Sequence, residues 1–251
     1  MIADLSLSLW IFAALGAFMV GVSKAGITGL SILSIALFNH VFPSSKQASG
    51  LVLPLLIFGD FVAVFSYRKH TQWHYLWRLF PWTAIGVVLG YFALGRISDH
   101  AARILVGWII VSLVILSYWR RFAASPNEER AAPQLHWPVG AVIGMTAGFI
   151  TLVANAAGPL MAIYLVAMRL PKMEYVGTAA VFFMLLNLFK VPFMVDLGLI
   201  TTQSFGLNLA LAPAVLLGAL AGRWLLVRVN QNLFEQLVLL LSAIGGILLI
   251  L

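Results

Sequence analysis

Five polar residues inside otherwise apolar sequence could do chemistry. Lys24 stands in Gly21–Ser31, GVSKAGITGLS, which sets three glycines, a lysine and hydroxyl side chains where a continuous apolar helix is expected. Asn155 stands in a second interruption, Thr151–Leu160, TLVANAAGPL, about half a chain later. Asp60 lies in LIFGDFVAV, and Asn187 and Lys190 lie in LLNLFKVPF. A lysine at the centre of a membrane helix costs about 2.5–3.5 kcal/mol on insertion scales, so such a residue usually faces a cavity or a partner.

The two breaks suit anion chemistry. Gly26, Gly29, Asn155 and Gly158 permit tight or left-handed turns. A half-helix starting after each break directs N–H groups and the positive end of its dipole into the gap. Ser23, Thr28, Ser31, Thr151 and Asn155 add neutral hydrogen-bonding groups, and Pro159 suits the first turn of a new helix. With Lys24, this set fits a small oxyanion better than a cation. Paired, glycine-interrupted hydrophobic segments in corresponding halves of a chain point to a transporter binding site. The expected substrate-binding residues are Lys24, Gly26, Thr28, Gly29, Ser31, Asn155, Gly158, Asn187 and Lys190, and the expected coupling or ion-pair residue is Asp60.

Each of these has a plainer reading. Lys24 could snorkel from a helix end to the interface. Snorkelling fits Lys190 less well, because 15 residues of its segment precede it. Pro192 is expected to bend or end that helix. Glycines can serve close helix packing alone. That accounts for Gly86, Gly90, Gly218 and Gly222 but not for a lysine and an asparagine at the breaks. Asp60 could pair with a lysine, carry a coupling proton or hold a helix end, and without a partner it would stay neutral. It is expected to affect coupling or folding rather than substrate choice, since a carboxylate repels an anion.

These residues need elements to position them. Of 251 residues, 62% are hydrophobic and 9% charged, against about 25% charged in a soluble domain. Lipid must be the solvent, which leaves helices or a closed barrel. The apolar runs are too long and too little alternating for barrel strands, so the fold class is an all-α polytopic membrane protein. Ten apolar segments are read: Leu5–Val22, Ile27–Phe42, Ala48–Ser66, Leu79–Leu94, Ile104–Trp119, Val139–Val153, Gly158–Leu170, Tyr175–Val195, Phe205–Val227 and Phe234–Leu251. The one long connection, Arg120–Trp137, divides the chain into transmembrane repeat 1 (1–119), a cytoplasmic linker (120–137) and transmembrane repeat 2 (138–251).

The halves echo each other. Pro81, Gly86, Gly90 and Arg96 match Pro213, Gly218, Gly222 and Arg228 at one offset of 132 residues. Pro43 with Pro171, Gly50 with Gly177, and Asp60 with Asn187 match at 127 to 128. Each half holds a broken or short helix pair that ends where it began, plus three spans. An odd count of crossings requires the second repeat to be inverted. The charges agree. Arg68, Lys69, Arg78, Arg120, Arg121, Arg130, Arg169, Lys172, Arg223 and Arg228 fall on one side, and Lys46, Arg96 and Arg103 on the other. By the positive-inside rule the first side is cytoplasmic, and both termini face the periplasm.

Other features add little chemistry. The net charge of +7 marks cytoplasmic loops rather than a nucleic-acid partner. The absence of cysteine excludes disulfides and thiolate chemistry. The N-terminus reads as a retained first helix, since it lacks a basic n-region and carries Asp4. Trp10, Trp73, Trp77, Trp119, Trp137 and Trp224 lie near segment ends as an interfacial belt. His70 and His74 lie in a basic loop without a third ligand, so no metal is expected. Phosphate-binding loops, nucleophile elbows and zinc helix motifs do not occur.

At GVSKAGITGLSIL with FPSSKQASGL, and GFITLVANAAGPLMAIYL with LPKMEYVGTAAVFFMLLNLFKVP, the chain resembles the sulfite exporter TauE/SafE family, also called toluenesulfonate uptake permeases. The resemblance covers nearly the whole chain. This copy has Lys24 and Thr28 where glycines often cluster, and Asn155-Ala156-Ala157-Gly158 for a fuller glycine run. The resemblance implies secondary transport of sulfite, sulfonates or related anions across a bacterial inner membrane. Expected partners are that anion, the bilayer and, as an open option, a second copy in a homodimer; no nucleic acid and no cofactor are expected. Two other classes stay open: a proton- or cation-translocating carrier or channel organised by Asp60, and an intramembrane enzyme. The enzyme reading has only Asp60, two lysines and hydroxyls to work with, so the expectation is no enzyme.

Overall fold

The computed structural model describes residues 6–26, 30–42, 45–94, 100, 104, 107–112, 114–115 and 137–250. Among these there is no strand. The delimited helices are α1 (Leu7–Ala25), α2 (Ser31–Val41), α3 (Ser45–Tyr67), α4 (Trp73–Leu94), α5 (Trp137–Ala154), α6 (Ala157–Ala167), α7 (Lys172–Asp196), α8 (Thr202–Arg228) and α9 (Gln231–Ile250), with a 3₁₀ turn at Arg68–His70. Residues 107–112 are also helical, inside the expected segment Ile104–Trp119. Six described helices are long and apolar enough to cross a membrane, and two of 16 and 11 residues, Pro138–Val153 and Ala157–Ala167, are apolar but short. The expected division at 120–137 falls largely outside the described residues.

The apolar runs form helices because lipid offers the backbone no other hydrogen-bond partner. Polar caps mark their ends: Ser6 accepts from the Leu9 N–H, and Thr201 and Ser204 form a reciprocal capping box on α8. Several boundaries depart from expectation, among them the start of α4 at Trp73 rather than Leu79; two others bear on the site. Helix α1 runs on to Ala25, so Lys24 sits on its last turn rather than in the break. Helix α7 continues through Pro192 to Asp196, where an end or bend was expected. Prolines are tolerated inside membrane helices because neighbouring groups satisfy the carbonyl they free.

The helices pack in reciprocal pairs. Gly218 of α8 presses on the backbone of Phe18 in α1, and Gly222 on Val22, so α1 and α8 run parallel. Gly86 of α4 presses on Met145 of α5, and Gly90 on Phe149 and Leu152, so α4 and α5 also run parallel. A side chain at any of these glycines would meet carbonyl or Cβ atoms of the facing helix, the close approach that small residues give membrane helices. Helices α3 and α7 run antiparallel: Gly50 meets Leu199, Asp60 meets Asn187, and Gly177 meets Tyr67. Helix α2 folds back along α1, with Phe12 5.0 Å from His40.

Outside and inside are chemically exchanged relative to a soluble protein. Phe61, Phe65, Trp77, Leu89, Phe92, Leu217 and Trp224 stand exposed on the outer surface. Asp60, Thr151, Asn155, Asn187 and Lys190 are buried. The fold is therefore that of a multi-pass membrane protein, with an apolar shell for lipid around a small polar centre.

Candidate functional site

The polar centre forms where the ends of α1 and α5 meet the middles of α3 and α7. Gly59 leaves room for the Lys24 stem to cross α3; a Cβ there would lie 3.0 Å from Lys24 Cγ. Lys24 Nζ then reaches Asp60 Oδ1 at 2.7 Å and stands 4.4 Å from the centroid of the Phe183 ring, within cation–π range. Asn187 Nδ2 donates to the other carboxylate oxygen, Asp60 Oδ2, at 2.6 Å. The side chain of Asp60 is fully buried, so these two partners are what make its charge tolerable there.

The second break has its own geometry. Asn155 adopts φ 50°, a left-handed conformation that asparagine reaches more readily than most residues. Its N–H donates to Thr151 O at 3.0 Å, which closes α5 in the manner of an αL cap. Helix α6 begins two residues later at Ala157, without a side-chain cap, and Pro159 falls in its first turn, where no donor is lost. From α7, Lys190 Nζ donates to Asn155 Oδ1 and, at 3.3 Å, to Thr151 Oγ1.

Between these groups lies a cavity of about 30 Å³, lined on its polar side by Ser23, Lys24, Asp60, Thr151, Asn155 and Asn187. Gly158 contributes to the wall, with Leu56, Ala179, Ala180 and Phe183 on the apolar side. A water needs about 10–15 Å³ by the same measure, so the space takes about two water-sized bodies. One ammonium, two amides and two hydroxyls face one carboxylate, whose two oxygens already meet Lys24 and Asn187. Such a lining can bind a small anion through charge-assisted hydrogen bonds.

The expected residues divide as follows. Lys24, Asn155, Gly158 and Asn187 come together at the cavity, and Asp60 joins them as the Lys24 partner. Lys190 does not line the cavity; it is fully buried behind Asn155 and Thr151. Gly26 is drawn away from the site, against Gly222 of α8, where it serves packing. Thr28 and Gly29 lie outside the described residues, and of Ser31 only the backbone is described. Phe183 was not anticipated. Its spacing from Asn187 and Lys190 puts all three on one face of α7, a signal the sequence held among many core phenylalanines. Among the described residues no group of three or more metal ligands occurs.

A family model described as Sulfite exporter TauE/SafE matches residues 13–249, nearly the whole chain. No curated protein and no solved structure matches it.

Proposed function

The chain belongs to the sulfite exporter TauE/SafE family of membrane transporters, and from that premise we propose that it is a secondary carrier of small sulfur oxyanions, sulfite or an organosulfonate, in a bacterial inner membrane. The observation that carries this reading is the cavity between the last turn of α1 and the second helix break, with Lys24, Asn155, Asn187, Thr151 and Ser23 in its wall. Its narrowness favours a ligand of sulfite size over an arylsulfonate in this conformation. Asn155 and Asn187 act as donors, and Gly158 lets the ligand approach the start of α6, where unpaired N–H groups favour an anion.

The reading includes two inverted repeats. The pairing of α1 with α8 and of α4 with α5, both parallel, and the antiparallel crossing of α3 and α7 support it. A two-fold axis lying in the membrane relates elements in this way, and it brings equivalent breaks to one central place. The competing reading, a cation or proton carrier organised by Asp60, is disfavoured because Lys24 and Asn187 occupy its carboxylate oxygens. The family is one of transporters rather than enzymes.

Flux into proteoliposomes containing the purified full chain tests the proposal. Saturable uptake of radiolabelled sulfite, competed by methanesulfonate and absent from empty liposomes, is the expected result. Cation flux without flux of any sulfur oxyanion would overturn it.

A further inference from the structure

We propose that the cavity selects monovalent oxyanions over dianions, and that Lys190 is the residue that sets this valence. The inference rests on the anion-transport reading and adds to it the charge of the substrate: hydrogensulfite or an organosulfonate rather than the sulfite or sulfate dianion.

The argument is a charge count. Among the described residues, three charged side chains stand at the cavity wall or within hydrogen-bond reach of a wall residue: Lys24, Asp60 and Lys190. Lys24 and Asp60 form an ion pair at 2.7 Å and together contribute no net charge to the centre. Lys190 is fully buried, and its hydrogen-bond partners, Asn155 and Thr151, are neutral. An anion in the cavity favours the ionised form of both lysines, and with both ionised these three groups hold one excess positive charge in a low-dielectric interior. An uncompensated buried charge is costly, and a counter-ion that neutralises it removes that cost. A monoanion brings the centre to zero. A dianion leaves it at minus one, with Asp60 facing the excess.

Lys190 also orients a side chain of the cavity wall. A lysine ammonium only donates, so the Asn155 atom it contacts must be the carbonyl oxygen. The Asn155 amide is thereby fixed with Nδ2 as its remaining half, on a residue that lines the cavity. Lys190 acts from behind as a positioning residue and as the source of charge, without touching the ligand. Asp60 acquires a part in substrate choice, through the net charge rather than through contact, contrary to the expectation from its sequence setting.

The test compares methanesulfonate with sulfate, two tetrahedral ions of similar size and fixed charge, binding to the purified full chain at neutral pH. Folding is checked by size-exclusion elution and melting. Wild type is expected to bind methanesulfonate at least about ten-fold tighter than sulfate. Asp60→Asn, which raises the excess charge to two, should move that ratio toward sulfate by about ten-fold or more. Lys190→Met, which takes the excess to zero, should weaken the binding of both ions and move the ratio further toward methanesulfonate. Lys24→Met with Asp60→Asn, which deletes the pair and keeps the excess at one, should leave the ratio close to that of wild type. Equal or reversed affinities in wild type would overturn the valence inference while leaving an anion carrier, as would a folded Asp60→Asn protein with an unchanged ratio. If folded wild type bound neither ion, the anion reading would fall and this inference with it. Because wild type alone yields the first ratio, poor folding of a variant does not remove the test.

Discussion

Asn187 Nδ2 donates to Asp60 Oδ2 at 2.6 Å although 127 residues separate the two. The bond sits midway along the antiparallel crossing of α3 and α7, and the Lys24 ammonium meets the other oxygen of the same carboxylate. One acidic group thus ties together α1, α3 and α7 beside the cavity. Its neighbours explain how a carboxylate survives at that depth.

The ion pair predicts an asymmetry between single and double variants. Lys24→Ala leaves a buried carboxylate without its counter-charge, and breaking a buried pair costs about 3–5 kcal/mol. Folded yield should fall sharply. Lys24→Met combined with Asp60→Asn should recover most of that yield in size-exclusion profiles of detergent extracts. Equal losses in the single and double variants would mean that the pair does not govern folding.

The glycines at the paired helices predict a second contrast. Gly86→Ala sets a Cβ against the Met145 carbonyl, and Gly218→Ala sets one against the Phe18 carbonyl. Overpacking of this kind costs about 1–3 kcal/mol, so both should lower the melting temperature. At Gly206 of α8 nothing lies within 4 Å of the added Cβ, and Gly206→Ala should raise stability by about 0.5–1 kcal/mol. Thermal melts of the three variants decide the point.

Much of the fold was legible in the sequence because lipid leaves the backbone so few choices. Long apolar runs must be helices, and the one αL residue at the second break, Asn155, was visible as a polar residue amid apolar ones. The pairing of Asp60 with Lys24 was legible only as one of three options. Helix ends were less legible. Helix α1 holds its pitch through Lys24 because Asp60 and Phe183, both distant in sequence, receive the ammonium. Gly26 and Gly158 both read as turn residues, yet α8 approaches Gly26 and takes it for packing, and Gly158 lies in the first turn of α6. Which glycine serves a ligand and which serves a neighbour depends on long-range packing that local sequence does not carry.

Tyr67 should stabilise the first break without touching the ligand. Its hydroxyl donates to Ala25 O, the last carbonyl of α1, at 3.0 Å. Tyr67→Phe removes that bond at a cost of about 0.5–1.5 kcal/mol. A lower melting temperature is expected, with the order of anion affinities unchanged. An altered order would place Tyr67 in the recognition site.

The charge distribution predicts that both termini face the periplasm. The connection 197–201 after α7 carries no basic residue, unlike Tyr67–Arg78 after α3, which carries Arg68, Lys69 and Arg78. Reporter fusions at Leu251 should be active only in the periplasmic assay. Activity only in the cytoplasmic assay would contradict the inverted-repeat arrangement.

The central claim, that an anion is held between the end of α1 and the second break, is tested most directly at Asn155. Glycine accepts the backbone φ of 50° found there, so Asn155→Gly removes the amide with the least backbone strain. A hydrogen bond to a charged group is worth about 1.5–3 kcal/mol. Calorimetric titration of sulfite into the purified full chain should therefore show affinity about ten-fold or more weaker in Asn155→Gly than in wild type, with elution and melting confirming a folded variant. A folded Asn155→Gly protein that binds sulfite as tightly as wild type would contradict the account and move the site elsewhere.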